Sequence, residues 1–190
     1  MINRIRAQEL IDKHITTGWL KLHMRESEVI MKSVAKKLGE NEEVWGIAGL
    51  LHDLDYDYVD KDPNRHGVEF EEILEKEGIE LPVEVVHAIR AHNSDSELIE
   101  EVRESHLDYA LAASENLSGF LVACALVQPT KKLESVKVES VIKKLTKKKD
   151  FAKAVRRDLI MDIEKAGIPL EEFIQIALDA VGEISDEVGV

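Results

Sequence analysis

The segment Val44–Leu51 is apolar on almost every face, and it constrains this chain more than any other stretch. A helix without a polar side has nothing to offer water, so other elements must enclose it. Asn41 precedes it as an N-cap, and Glu42 and Glu43 stand in its first turn, where the helix dipole favours negative charge. His52 and Asp53 close it. Two polar groups at the end of the most apolar helix cost desolvation energy unless they are paired or bound to a metal.

The rest of the chain has a helical period. Asn3 caps a first helix reaching about His14, and Gly18 interrupts it. Leu20, His23, Ser27, Ile30, Val34 and Leu38 recur at three- and four-residue steps in a second, running from about Trp19 to Leu38 and stopped by Gly39. Leu54–Asp62 lacks this period and reads as a loop. Asp62-Pro63 then predicts an N-cap and first helical position, opening a helix that carries His66, Phe70, Ile73 and Leu74 and ends at Gly78. Pro82 opens another, with Val85, Ile89 and His92 on one face. A long helix follows from about His106 to Val127, stopped at Gln128-Pro129. Shorter helices are expected near Ser135–Leu145, Asp150–Ala166 and Leu170–Ile184. Strand alternation and internal repeats are absent, so the reading is all-α. Residues 1–130 form a helical domain, with the helices of 131–190 packed on it as part of the same unit.

Composition narrows the functional classes. A length of 190 residues suits one domain, and 44% hydrophobic residues suffice for a core. The net charge of −13 argues against a nucleic-acid-coating protein. It is uneven: Lys131–Arg157 holds 11 Lys/Arg against three Asp/Glu, a solvated basic face or a patch for an acidic partner. A single cysteine, Cys124, excludes an internal disulfide and any multi-cysteine zinc module. The longest apolar run, Phe120–Val127, is eight residues against the about 18 that span a bilayer, and Met1–Leu10 has no apolar leader stretch. A cytoplasmic location away from membranes is the expectation. The apolar stripe Phe173, Ile174, Ala177 is a candidate face for a homodimer.

Four residues stand out as candidates for chemistry: His23 on the apolar stripe of its helix, the doublet His52-Asp53, and Glu115 inside an otherwise small and apolar helix. Each alone has an ordinary structural reading, as a hydrogen-bonded core histidine, a turn aspartate or a solvent-facing glutamate. Neighbouring helical residues point about 100° apart, so a His-Asp doublet straddles one ion only near a helix end, which is where this one sits.

At the doublet, within GLLHDLDYD, the sequence resembles the HD-domain superfamily of metal-dependent phosphohydrolases. That pattern places a His on one helix, a His-Asp doublet ending another, and a distant acid. Here these are His23 in LKLHMRESEVIMKSVAKKLG, His52 and Asp53 in WGIAGLLHDLDYD, and Glu115 in AASENLSG, where the family ordinarily has Asp. The resemblance covers Trp19 to about Gln128, and the tail is similar to an uncharacterised hydrolase subgroup of that superfamily. It implies an HD-like helical bundle and a divalent metal held by His23, His52, Asp53 and Glu115. Two imidazoles and two carboxylates leave open positions and suit an octahedral ion, whether Mn, Fe, Co, Ni, Zn or Mg, with Mg least favoured. Such an ion lowers the pKa of bound water towards about 7, giving a metal-activated hydroxide that attacks phosphorus.

The resemblance also implies roles for neighbours. His66 and His92 are candidates for a second metal or for phosphate contact; His87 points about 140° away from His92 on a regular helix and is set aside. The loop supplies Asp55, Asp57 and Asp60, of which Asp57 is the candidate general base beside Asp53, and Lys61 and Arg65 flank His66 as phosphate binders. The expected function is hydrolysis of a small phosphorylated metabolite, a nucleotide or related phosphoester. Two alternatives remain: a non-enzymatic metal- or nucleotide-binding regulatory module, and a di-iron oxygenase on the same scaffold.

Overall fold

The computed structural model describes residues 2–190, and among these the secondary structure is helices and turns with no strand. The helices are α1 (Arg4–His14), α2 (Gly18–Leu38), α3 (Glu42–Leu51), α4 (Phe70–Lys76), α5 (Val83–His92), α6 (His106–Leu126), α7 (Val138–Lys147), α8 (Arg157–Met161), α9 (Leu170–Gly182) and α10 (Ser185–Val188).

The apolar α3 is enclosed as its sequence demands. It lies along α2 and also touches α1, α5 and α6. Asn41 caps it, accepting from the Glu43 and Val44 amides at 3.1 and 3.2 Å. Small residues set the approach to α2: a Cβ at Gly49 would fall 2.6 Å from the Ser27 carbonyl oxygen. Only glycine lets the two backbones come this close.

The long α6 is the axle of the molecule, packed by α2, α5, α8 and α9. By length and composition it could cross a bilayer, but 67% of its most apolar window is buried inside this fold. Ser105 and Asp108 start it with a capping box. One hydrophobic core runs from Ala7 through to Val190, so residues 131–190 share it with the rest.

Three expectations need correction. The helix predicted from Asp62-Pro63 begins only at Phe70; residues 62–69 are turns, with the Asp62 side chain accepting from the Asn64 amide. The reason is Asp55, whose buried carboxylate accepts from the amides of Gly67, Glu69 and Phe70 and so fixes where helix can start. The stretch predicted as one helix over 150–166 is turn to residue 156, then α8, then a 3-10 turn at Asp162–Ala166. Finally, Phe173, Ile174 and Ala177 are fully buried in the core, so this stripe offers no face to a second copy.

Candidate metal centre

Two helices end in histidines that turn back in the same way. His52 caps α3 and its Nδ1 donates to the Gly49 carbonyl at 2.8 Å; His92 ends α5 and its Nδ1 donates to the Ile89 carbonyl. Each bond satisfies a carbonyl that the helix end leaves free and swings Nε2 out beyond the helix.

The other two imidazoles are tethered at the same atom. Ser118 gives its hydroxyl proton to the Glu115 carbonyl at 3.0 Å, so its oxygen accepts from His23 Nδ1 at 2.8 Å. His66 Nδ1 donates to Asp55 Oδ1 at 2.8 Å. These bonds at Nδ1 turn the Nε2 atom of all four rings inward. The inward nitrogens face one another, His23 to His52 at 3.1 Å and His66 to His92 at 3.0 Å.

Asp53 sits between the pairs. Its Oδ1 is 3.0 Å from His66 Nε2, 3.3 Å from His52 Nε2 and 3.7 Å from His92 Nε2, and its Oδ2 is 3.6 Å from His23 Nε2. The Glu115 carboxyl completes a group with His23 and His52 whose ligand atoms all lie within 4.8 Å; Asp53, His66 and His92 form a second group within the same limit. Lone pairs that face each other at hydrogen-bond distance repel unless a positive charge lies among them. Four imidazole nitrogens and two carboxylates are a borderline N/O donor set, suited to first-row divalent metals and less to Mg. The residues fit a metal ion.

Electrostatics say the same. Burial pushes His52 down to about 3, against the pull of Asp53, so that ring is neutral at physiological pH. Burial also lowers His23. Burial and then the Asp53 charge raise Glu115 well above the usual carboxyl range. Burial works to lower His66 too, but hydrogen bonds and charge from Asp53 and Asp55 prevail and lift it to about 10. Asp53 itself stays well below its ordinary value, because the surrounding histidines outweigh its burial. With no metal, one proton on His66 is the cation this carboxylate pair can recruit.

The structure thus brings His23, His52, Asp53 and Glu115 together and adds His66 and His92 to them. It separates the remaining candidates from this centre. Asp57 accepts from the backbone amides of Thr16 and Thr17 at 2.7 and 2.8 Å and from their hydroxyls at 3.0 and 2.7 Å, holding the start of α2. Burial would raise its pKa, but these bonds prevail and bring it to about 2. A carboxylate so committed is a poor base, which corrects the general-base expectation for Asp57. Arg65 is bound to Glu69 at 2.6 and 2.7 Å, and Lys61 is exposed. Neither is among the residues lining the cavity above the centre. His87 bonds Asp108 at 3.2 Å, away from the cluster.

That cavity, about 400 Å³, is lined by His23, Asp53, His66, His92 and Glu115 at its base, with Trp19, Tyr56, Asn93, Asp95 and Arg156 among its walls. Trp19 and Tyr56 meet edge to face at 6.2 Å. Sequence reasoning missed three supporting groups. Asp55, grouped with a solvated loop, is fully buried and holds His66; Ser118 orients His23; and Arg156 reaches in from the tail. Nothing local distinguishes Asp55 from Asp60, because its partners are His66 and backbone amides 12–15 residues away.

A model of the HD domain matches residues 22–118, just over half of the chain, and the chain belongs to that family. Comparison with curated proteins and with solved structures gives no match. Family membership suggests a metal-dependent hydrolase, and the histidine–carboxylate cluster is one that could hold a metal.

Proposed function

We propose that the protein is a metal-dependent phosphohydrolase acting on a small phosphorylated metabolite, a nucleotide or related phosphoester. The observation that carries this reading is the inward convergence of four Nε2 atoms on Asp53. In this reading His23, His52 and Glu115 would hold one divalent ion, Asp53, His66 and His92 a second, with Asp53 between them. Bound there, the metal would lower the pKa of coordinated water and neutralise charge on a phosphoryl group.

The chain's own residues would do the rest. Gly49, Ile89, Ser118 and Asp55 hold the four rings by Nδ1, so their Nε2 atoms are aimed before any ligand arrives, and the second proton of His66 would leave on metal binding. The helices packed around the centre bury His52, Asp53, His66 and His92. Trp19 and Tyr56 would offer an aromatic corner for the organic part of the substrate.

The test is elemental analysis of freshly purified protein, followed by a phosphate-release screen across nucleotides and other phosphoesters with each cation added. The wild type should release phosphate, and a His52→Ala, Asp53→Ala double variant should lose metal and turnover while keeping its helical circular dichroism. Metal-loaded protein that releases phosphate from no ester would overturn the reading, and dioxygen uptake by an iron-loaded form would favour the oxygenase instead.

A further inference from the structure

One wall of the cavity comes from outside the residues that match the family. Ala154, Val155 and Arg156, in the turn before α8, lie over the metal centre. Asn116 fixes them there. Its Oδ1 accepts from the Arg156 backbone amide at 2.9 Å, while its Nδ2 donates to the Glu115 carboxyl and to the Ala112 carbonyl at 3.0 Å. One buried amide side chain therefore couples the backbone of Arg156 to a carboxyl of the centre.

Among the residues lining the cavity, Arg156 is the one lysine or arginine. Its guanidinium is bound by Asp158, Nε to Oδ1 at 3.1 Å and Nη2 to Oδ2 at 2.7 Å, and its Nη1 pairs with Asp95. Asp95 follows α5, whose last residue is His92, and it lines the same cavity. The Arg156–Asp95 pair therefore joins the tail to the turn beyond His92. Side-chain exposures of 44% for Arg156 and 63% for Asp95 put the pair at the solvent edge of the cavity. Ion pairs so exposed are weak and exchange readily.

We propose that Arg156 is a phosphate-binding residue, held in waiting by Asp95, that exchanges this carboxylate for the non-bridging oxygens of a phosphorylated ligand in the cavity. The proposal rests on the phosphohydrolase reading and adds to it the residue that selects for a phosphoryl group. The guanidinium fork matches phosphate as it matches carboxylate, and its occupation by Asp95 shows that an oxyanion fits at this edge. A ligand contacting both Arg156 and the centre below must present oxygens on two sides, as a tetrahedral phosphoryl group does. Asp158 keeps Nε and Nη2, and at Nη1 a multiply charged phosphate competes well against the exposed Asp95 carboxylate.

The test is calorimetric titration of inorganic phosphate into Mn²⁺-loaded protein, with metal per chain measured in every variant. Arg156→Ala should weaken phosphate binding about tenfold or more, and Arg156→Lys should fall between it and the wild type. Asp95→Asn, which releases Nη1 while Asp158 still holds Nε and Nη2, should tighten binding by about threefold. Metal content should be the same in all. An Arg156→Ala variant that binds phosphate as the wild type does overturns the proposal while leaving the phosphohydrolase reading intact. So does one that loses metal along with phosphate, since Arg156 then acts through the fold. Wild-type protein that loads Mn²⁺ but takes up no phosphate overturns both readings.

Discussion

His66 is gripped by a carboxylate at each ring nitrogen, Asp55 on Nδ1 and Asp53 on Nε2. Asp55 is the more telling of the two. Fully buried, it accepts four hydrogen bonds, one from the imidazole and three from the backbone amides that begin α4. Removing it would strand those donors in the interior and release the ring. Asp55→Ala should cost about 3 kcal/mol in urea unfolding and lower the metal content from two ions per chain towards one, because it loosens His66 but not the His23–His52–Glu115 group. Unchanged stoichiometry would show that His66 needs no such support. At this scale the sequence was partly legible. His23, His52, Asp53 and Glu115 stood out as polar groups in apolar helices, and the resemblance carried by the His-Asp doublet joined them into one set. Asp55, Ser118 and Arg156 were not, since their roles depend on partners far along the chain. Asp57 misled for a related reason: its four hydrogen bonds come from Thr16 and Thr17, some 40 residues earlier.

The contact between α2 and α3 sets the spacing of the centre, because His23 rides on one helix and His52 ends the other. Gly49 does two things there. It lets α3 press against the Ser27 backbone, and its carbonyl receives His52 Nδ1. Gly49→Ala would gain helix propensity but force backbone against Cβ at 2.6 Å, and overpacking of that kind dominates. The variant should be destabilised by about 2–3 kcal/mol and bind metal at least about tenfold more weakly, read by thermal melting and by competition with a chelator. Wild-type stability would mean that the helices separate freely. Most helices were legible from their caps and periods: Asn3, Asn41, Gly39 and Pro82 all stand where helices begin or end. The start of α4 was not, because a buried carboxylate 15 residues earlier outweighs the local Asp-Pro signal.

Across the whole molecule, the tail shares the core as well as lining the cavity. The basic stretch is partly consumed inside the fold: Arg157 donates to the carbonyls of Lys144, Leu145 and Lys148 at 2.8–2.9 Å, closing the end of α7. The response to pH should show another buried group. Glu26 on α2 is 3% exposed, and burial raises its pKa to about 8. The folded state keeps this carboxyl neutral while the unfolded chain ionises it above about 4.5. Its contribution to stability is therefore whole below that pH and is lost as pH rises towards 8. Glu26→Gln should flatten this dependence, so that wild type loses on the order of 2–4 kcal/mol more than the variant between about pH 5 and pH 9. Parallel stability profiles from urea unfolding would contradict it.

The central claim is that the inward-facing imidazoles and carboxylates form a centre for divalent cations. Metal per folded chain, measured by elemental analysis after equilibration with Mn²⁺ and removal of the free ion, tests it most directly. The account predicts close to two ions in the wild type and none in the His52→Ala, Asp53→Ala double variant. A folded wild-type chain that retains no metal would contradict it.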